Sequence, residues 1–293
     1  MNKKNIRKSL RKRLDRWFES ITDPKVRAAA EKDAIVTGGA FVSLLNNEEP
    51  NDLDIYFRTL ETCELVAKYY ATKWEELHPN KMSVTVEIID NRVQCKIQSL
   101  GAVMEDGENG IDDNTEPFTS ENEDNPLEPN PEIEKPKYRP RYISTNAITL
   151  SDKIQIVIRF WGSVEDIHKN YDFVHTTCSY DYYKDEVVLP EAALLAIMNK
   201  ELIYQGSKYP LCSIIRTRKF IQRGWSINAG QYLKMALQLN ELNLKDFNTF
   251  KDQLTGVDSA YFDMLINAMS TKLNGDIIDV DNDYIIEIIN KIF

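Results

Sequence analysis

Two aspartates separated by one residue, Asp52 and Asp54, are the groups in this chain best suited to chemistry. They lie in Asp52-Leu-Asp-Ile-Tyr-Phe57, where polar and apolar residues alternate with the period of a strand. A strand turns successive side chains to opposite faces and rises about 3.3 Å per residue, so the two carboxylates share a face roughly 6–7 Å apart. Leu53, Ile55 and Phe57 are then free to enter a core. Two acids so spaced can hold divalent ions in the pair geometry, about 3.5–4 Å between metals, that serves phosphoryl transfer. Upstream, Ala34–Thr37 is a short β-prone run, Gly38-Gly39 breaks it, and Ala40–Leu45 reads as a short helix. A diglycine lets backbone approach phosphate closely and opens a helix whose free N–H groups favour anions. Strand, turn, helix, loop and strand also arise in ordinary αβ turns, where both acids are plain surface groups.

The second stretch with chemical content is Arg216-Thr-Arg-Lys-Phe-Ile-Gln-Arg223-Gly224. Arg216, Lys219 and Arg223 fall at i, i+3 and i+7, one face of a helix that Gly224 ends. Three cations there can bind a triphosphate or a nucleic-acid backbone. The plainer alternative is a solvated face with intrahelical ion pairs, but the chain has no Asp or Glu between Glu201 and Glu241.

Gly38-Gly39, about a dozen residues, then Asp52-x-Asp54 flanked by apolar residues resembles the DNA polymerase β-type nucleotidyltransferase superfamily. That superfamily includes tRNA-terminal transferases, poly(A) polymerases and enzymes that nucleotidylate small molecules or proteins. One departure stands out. The family's second glycine is usually followed by a phosphate-touching serine, whereas this chain has Ala40, with Ser43 about one helical turn on. The resemblance implies a third acid from a later strand, and Asp172 in NYDFVHTTCSYD fits best, with Asp181 as competitor. That segment is similar to its counterpart in viral and phage nucleotidyltransferase-like proteins, and similar proteins carry a comparable basic run in their helical domain. The implied activity moves a nucleoside monophosphate from an NTP to an acceptor hydroxyl and releases pyrophosphate. Asp52, Asp54 and Asp172 would be the catalytic, metal-binding acids, holding two Mg²⁺ ions, or Mn²⁺. Gly38, Gly39, Ser43, Arg216, Lys219 and Arg223 would bind the nucleotide. The leading acceptor is an RNA 3′ end, tRNA first, with a protein hydroxyl, as in nucleotidylating toxins, as runner-up. An inactive binding or structural protein on the same fold is the alternative outside enzymes.

The elements that must position these groups are legible in outline. Residues 1–33 form a basic helical segment, broken at Asp23-Pro24, with eight cations in the first seventeen residues against Asp15 alone. Ile6, Leu10, Leu14 and Trp17 or Phe18 give it an apolar face, so it reads as a docked helix or as an arm on nucleic-acid phosphates. Residues 34–187 read as an α+β half, which the resemblance implies is a nucleotidyltransferase domain, a mixed sheet with flanking helices. Expected within it are a helix over Thr59–Leu77, strands over Met82–Ile89 and Val93–Ser99 joined by a tight turn, and strands over Asp152–Phe160 and Tyr171–Ser179. Ser163 caps a short helix through His168. An acidic, Pro- and Asn-rich insertion occupies 101–137. Residues 188–293 form an all-α domain, with helices over Glu191–Tyr204, Leu211–Arg223, Ala229–Leu239, Leu244–Leu254, Tyr261–Lys272 and Tyr284–Phe293.

Composition bounds the partners. The 293 residues carry a net charge of −10, but residues 105–134 hold twelve acids and no Lys or Arg. Without those twelve negative charges the remainder carries +2, so the acidic balance does not exclude a nucleic acid. No apolar run is long enough to span a membrane and the N-terminus lacks a secretory h-region, so a bacterial or phage-infected cytoplasm is expected. Four scattered cysteines without a Cys-x-x-Cys pair argue against a zinc site or disulfide scaffold and suit a reducing compartment.

Overall fold

Helix α1 (Lys3–Ser20) begins where the Asn2 side chain accepts from the Asn5 amide, and its Ile6, Leu10, Leu14, Trp17 and Phe18 are buried. Helix α2 (Pro24–Asp33) starts with Asp23 accepting from the Lys25 and Val26 amides, and Pro24 opens the first turn. This is a computed structural model, and it describes residues 2–78, 82–99, 137–254, 273–274 and 277–278. The expected insertion over 101–137 lies almost wholly outside them, as do the expected helices over Tyr261–Lys272 and Tyr284–Phe293.

The central sheet follows from short β-prone runs. Strand β1 (Ala34–Thr37) is buried throughout. After the diglycine come α3 (Ala40–Leu45), then β2 (Leu53–Phe57) and α4 (Leu60–Leu77), the last capped by Thr59. A hairpin of β3 (Met82–Ile89) and β4 (Arg92–Ser99) turns through Asp90 and Asn91, both at positive φ as a two-residue turn requires. Strands β5 (Pro140–Ile143), β6 (Ala147–Leu150) and β7 (Ile154–Trp161) follow. Helix α5 (Val164–His168) carries a reciprocal Ser163–Asp166 capping box. Two three-residue strands, β8 (Ser179–Asp181) and β9 (Glu186–Val188), complete the set. The sheet order is β5-β6-β7-β2-β1-β8-β9, with β1 antiparallel to β2 and β2 parallel to β7. The α+β class with a mixed sheet and flanking helices is as the sequence implied.

Three expectations need correction. Tyr171–Ser179 is not one strand: Val174–Thr176 form a 3₁₀ turn. The Thr176 and Thr177 hydroxyls donate to the Phe173 and Val174 carbonyls at 2.7 and 2.8 Å, closing local turns that compete with a sheet ladder. Helix α6 (Glu191–Asn199) stops five residues short of Tyr204, because Lys200 adopts φ 49°, ψ 47° and Tyr204 then bridges to Phe173. The C-terminal part is not all-α. Beside α7 (Pro210–Gln222), α8 (Ala229–Asn240) and α9 (Phe247–Gln253) it contains an antiparallel pair of β10 (Leu273–Asn274) and β11 (Ile277–Ile278).

The chain forms two units. The first comprises Met1–Val36, Ser43–Trp161 and Asp181–Glu186, and its core holds Trp17, Phe18, Ile35, Phe57 and Tyr70. The second comprises Thr37–Val42, Gly162–Tyr180 and Val187–Phe293, with Phe173, His175, Tyr204 and Cys212 buried.

Candidate active site

In the first unit, β2 positions the acid pair. The Leu53 amide donates to the Lys153 carbonyl, and Leu53, Asp54 and Ile55 pair with Ile154, Gln155 and Ile156 of β7. Leu53, Ile55 and Phe57 are buried, as the alternation predicts. Asp52 is exposed just ahead of the strand, and Asp54 is half-buried within it. Burial, then the negative charge of Asp52, pushes the Asp54 carboxyl up to about 7. Burial also raises Asp52, while Lys153 pulls it back. Lys153 is the neighbour that sequence reasoning missed. It sits at φ 62° in a tight turn, and its ammonium lies 3.6 Å from Glu49. No spacing rule connects it to Asp52, because the parallel β2–β7 pairing brings them together.

Two neighbouring carboxyls, both raised by burial and Asp54 further by the charge of Asp52, form a site short of positive charge. That donor set suits a divalent cation, which would restore both carboxylates to the ionised form. Among the described residues no group of three or more His, Cys, Asp or Glu side chains is gathered as a metal site. Ser43, also in this unit, is half-buried in α3, and its carbonyl accepts from the Glu48 amide. Asp181 forms an ion pair with Arg58 and accepts from the Lys184 amide.

In the second unit, Gly38 takes φ 98°, a conformation open to glycine, and its amide donates to the Thr176 carbonyl. Gly39 is exposed, and a Cβ there would meet nothing within 4 Å, so the backbone is open to approach. The buried Thr37 hydroxyl donates to the Cys178 carbonyl at 2.7 Å and lies 2.8 Å from His168 Nε2. A hydroxyl has one proton to give, so His168 Nε2–H is the donor in the second contact. Burial lowers the pKa of His168, which favours that neutral ring. Nothing in the sequence before Gly38 signals this anchor.

Asp172 precedes the 3₁₀ turn and is buried. Its Oδ2 accepts from Arg216 Nη1 at 2.7 Å, so the first cation of the expected triphosphate face is engaged by the expected third acid. Lys219 and Arg223 remain exposed along and beyond α7. His175 packs against Phe173, Phe220 and Trp225, and burial pushes its pKa down to about 4. It is a core histidine. The structure thus brings together Asp52 with Asp54, and Asp172 with Arg216.

The family model described as Gabija anti-defense 2 family protein matches residues 8–200. A protein of Bacillus phage SPbetaL7, "Gabija anti-defense 2", is 20% identical over 254 residues, which is 86% of this chain and 48% of that protein. The chain thus spans about half the length of this relative. Among solved structures, a CCA-adding enzyme with CTP matches at TM-score 0.40 and 13% identity, over 88% of this chain and 56% of that one. A tRNA-processing enzyme with CTP matches at TM-score 0.38 and 11% identity, over 83% and 56%. Likenesses of that size are too slight to assign a mechanism or a substrate.

Proposed function

The chain belongs to the Gabija anti-defense 2 family, and we propose that it counters Gabija defence by metal-dependent nucleotidyl transfer. The observation that carries the reading is the Asp52–Asp54 pair, with the Asp54 carboxyl raised to about 7 by burial and by its neighbour. A carboxyl in that state disfavours its own charge until a cation arrives. In this proposal Asp52 and Asp54 hold Mg²⁺, which when bound withdraws charge from the phosphoryl oxygens of an NTP. Gly38, Gly39 and Ser43 seat the triphosphate, and Lys219 on α7 and Arg223 just beyond it neutralise its charge. Asp172, oriented by Arg216, takes the proton of the acceptor hydroxyl. The hydroxyl oxygen forms a bond to the α-phosphorus, the bond to the β-phosphate oxygen breaks, and pyrophosphate leaves. Most of the rate enhancement is then positioning and charge neutralisation. The acceptor we propose is an RNA 3′ end, with a hydroxyl of a protein, a Gabija component included, as the other candidate.

The test incubates the full chain with each labelled NTP, Mg²⁺ and extract from cells with and without Gabija. Label should enter RNA, or protein if the runner-up holds. Asp52→Asn with Asp54→Asn should lower incorporation by at least ~10–100-fold, since losing metal ligands costs no less than losing their supporting partners. The same double variant should fail to protect phage in Gabija-bearing cells. If it protects fully, the catalytic reading is wrong.

A second reading has its own support. Arg216 already neutralises Asp172, which suits a protein that binds a Gabija component and performs no chemistry. Calorimetry separates the two: a binding module shows no Mg²⁺-dependent NTP binding and keeps its protection when both acids are replaced.

A further inference from the structure

Helix α1 presents a ridge that its own fold does not use. Lys4, Lys8, Lys12 and Arg16 recur at every fourth residue, and all four are exposed. Each step of four advances a helix by about 6 Å, so the ridge is roughly 18 Å long. Ile6, Leu10 and Leu14 lie two residues away along the chain, about 160° round the helix, and are fully buried. The apolar face therefore fixes the helix in the first unit, and the cations point the other way.

Three other cations of α1 have acids nearby. Arg7 and Arg11 face Asp185 at 3.8 and 3.6 Å, and Arg13 faces Glu49 at 3.2 Å. Among the described residues none of the four ridge cations has an acid within 4 Å. The arrangement also costs the helix stability. Like charges at i,i+4 destabilise by about 0.2–0.5 kcal/mol per pair, and the first turn holds Lys3 and Lys4 with no acid, against the helix dipole. Among the described residues no ion pair of the ridge offsets these terms.

We infer that this ridge binds the phosphodiester backbone of a nucleic acid without reading its sequence. Three of its four groups are lysines, point charges that suit phosphates better than base edges. A lipid surface fits poorly, because an interfacial helix must insert its apolar face and this one is already buried. An acidic protein fits less well too, since the ridge carries no aromatic or aliphatic anchor between its charges. The inference stands apart from nucleotidyl transfer, although an RNA acceptor would share the surface.

The test measures binding of the full chain to a single-stranded RNA and to a DNA duplex by anisotropy, between 50 and 200 mM salt. Four phosphate contacts contribute a log–log salt slope of about −2.8 on single strands and about −3.6 on duplex DNA. On RNA that is roughly a 50-fold loss of affinity across the range from the ridge alone. The quadruple variant Lys4→Gln, Lys8→Gln, Lys12→Gln, Arg16→Gln should lose this part of the slope and melt no lower than wild type, since it relieves the like-charge pairs. Neutralising Lys68 and Lys73, which pair with Glu64 and Glu76 on α4, should leave the slope unchanged. Binding by Asp54→Asn with the wild-type slope would show that the ridge works whether or not transfer occurs. An unaltered slope in the quadruple variant, wild-type protein that binds neither polymer, or a variant defect seen only on anionic vesicles would each overturn the inference.

Discussion

Asp54 is a carboxyl whose surroundings oppose its charge. Burial and Asp52 both raise it, from an ordinary value of 3.8 to about 7. The folded protein therefore holds this proton more tightly than the unfolded chain does. By linkage, the folded state loses stability as pH climbs from about 4 through 7, and the loss is complete above that. Asp54→Asn should thus melt higher than wild type at pH 8 in EDTA, and close to it at pH 4. Adding Mg²⁺ at pH 8 should raise the wild-type melting temperature and leave the variant's unchanged, if the pair is a cation site. Thermal melts at pH 4, 6 and 8 measure both effects. The spacing of Asp52 and Asp54 is readable because strand alternation is local. Their unequal burial is not, since it depends on what β7 and the turn at Lys153 bring alongside.

The same division holds for whole elements. Caps at Asn2, Asp23, Thr59 and Ser163 each use a side chain two or three residues from the amide it satisfies, so the starts of α1, α2, α4 and α5 are local facts. Tyr171–Ser179 shows the limit. Its β-branched residues suit a strand, but two threonine hydroxyls close turns there instead. The docking of α1 on α4 is a tertiary matter. Trp17 donates its indole N–H to the Tyr70 hydroxyl at 2.7 Å, and both side chains are buried. Tyr70→Phe leaves that donor without an acceptor and should cost about 1–3 kcal/mol, read as a lower denaturation midpoint. Tyr69→Phe removes only exposed hydrogen bonds to the Thr22 amide and hydroxyl and should cost less than about 1 kcal/mol. Equal losses would mean that the Trp17–Tyr70 bond adds nothing to the docking.

At the scale of the molecule, charge is unevenly placed. Deleting residues 105–134 changes the net charge from −10 to +2. Long-range repulsion of a polyanion should fall, so RNA affinity at 50 mM salt should rise by roughly 3–10-fold and the gain should vanish by 0.5 M, where screening is nearly complete. Unchanged affinity at low salt would show that those acids exert no field on the binding surface. By itself the sequence determined what depends on neighbours a few residues apart: the Asp52-x-Asp54 strand, the diglycine bend, the amphipathic basic helix and the α+β class. Only the tertiary structure decided which acid of the pair is the more buried, that Arg216 reaches Asp172 from forty-four residues away, and that Thr37 is anchored by His168. The reason is physical. Periodicity and capping act within one or two turns of chain, whereas burial and ion pairing are set by groups that folding brings together from distant positions.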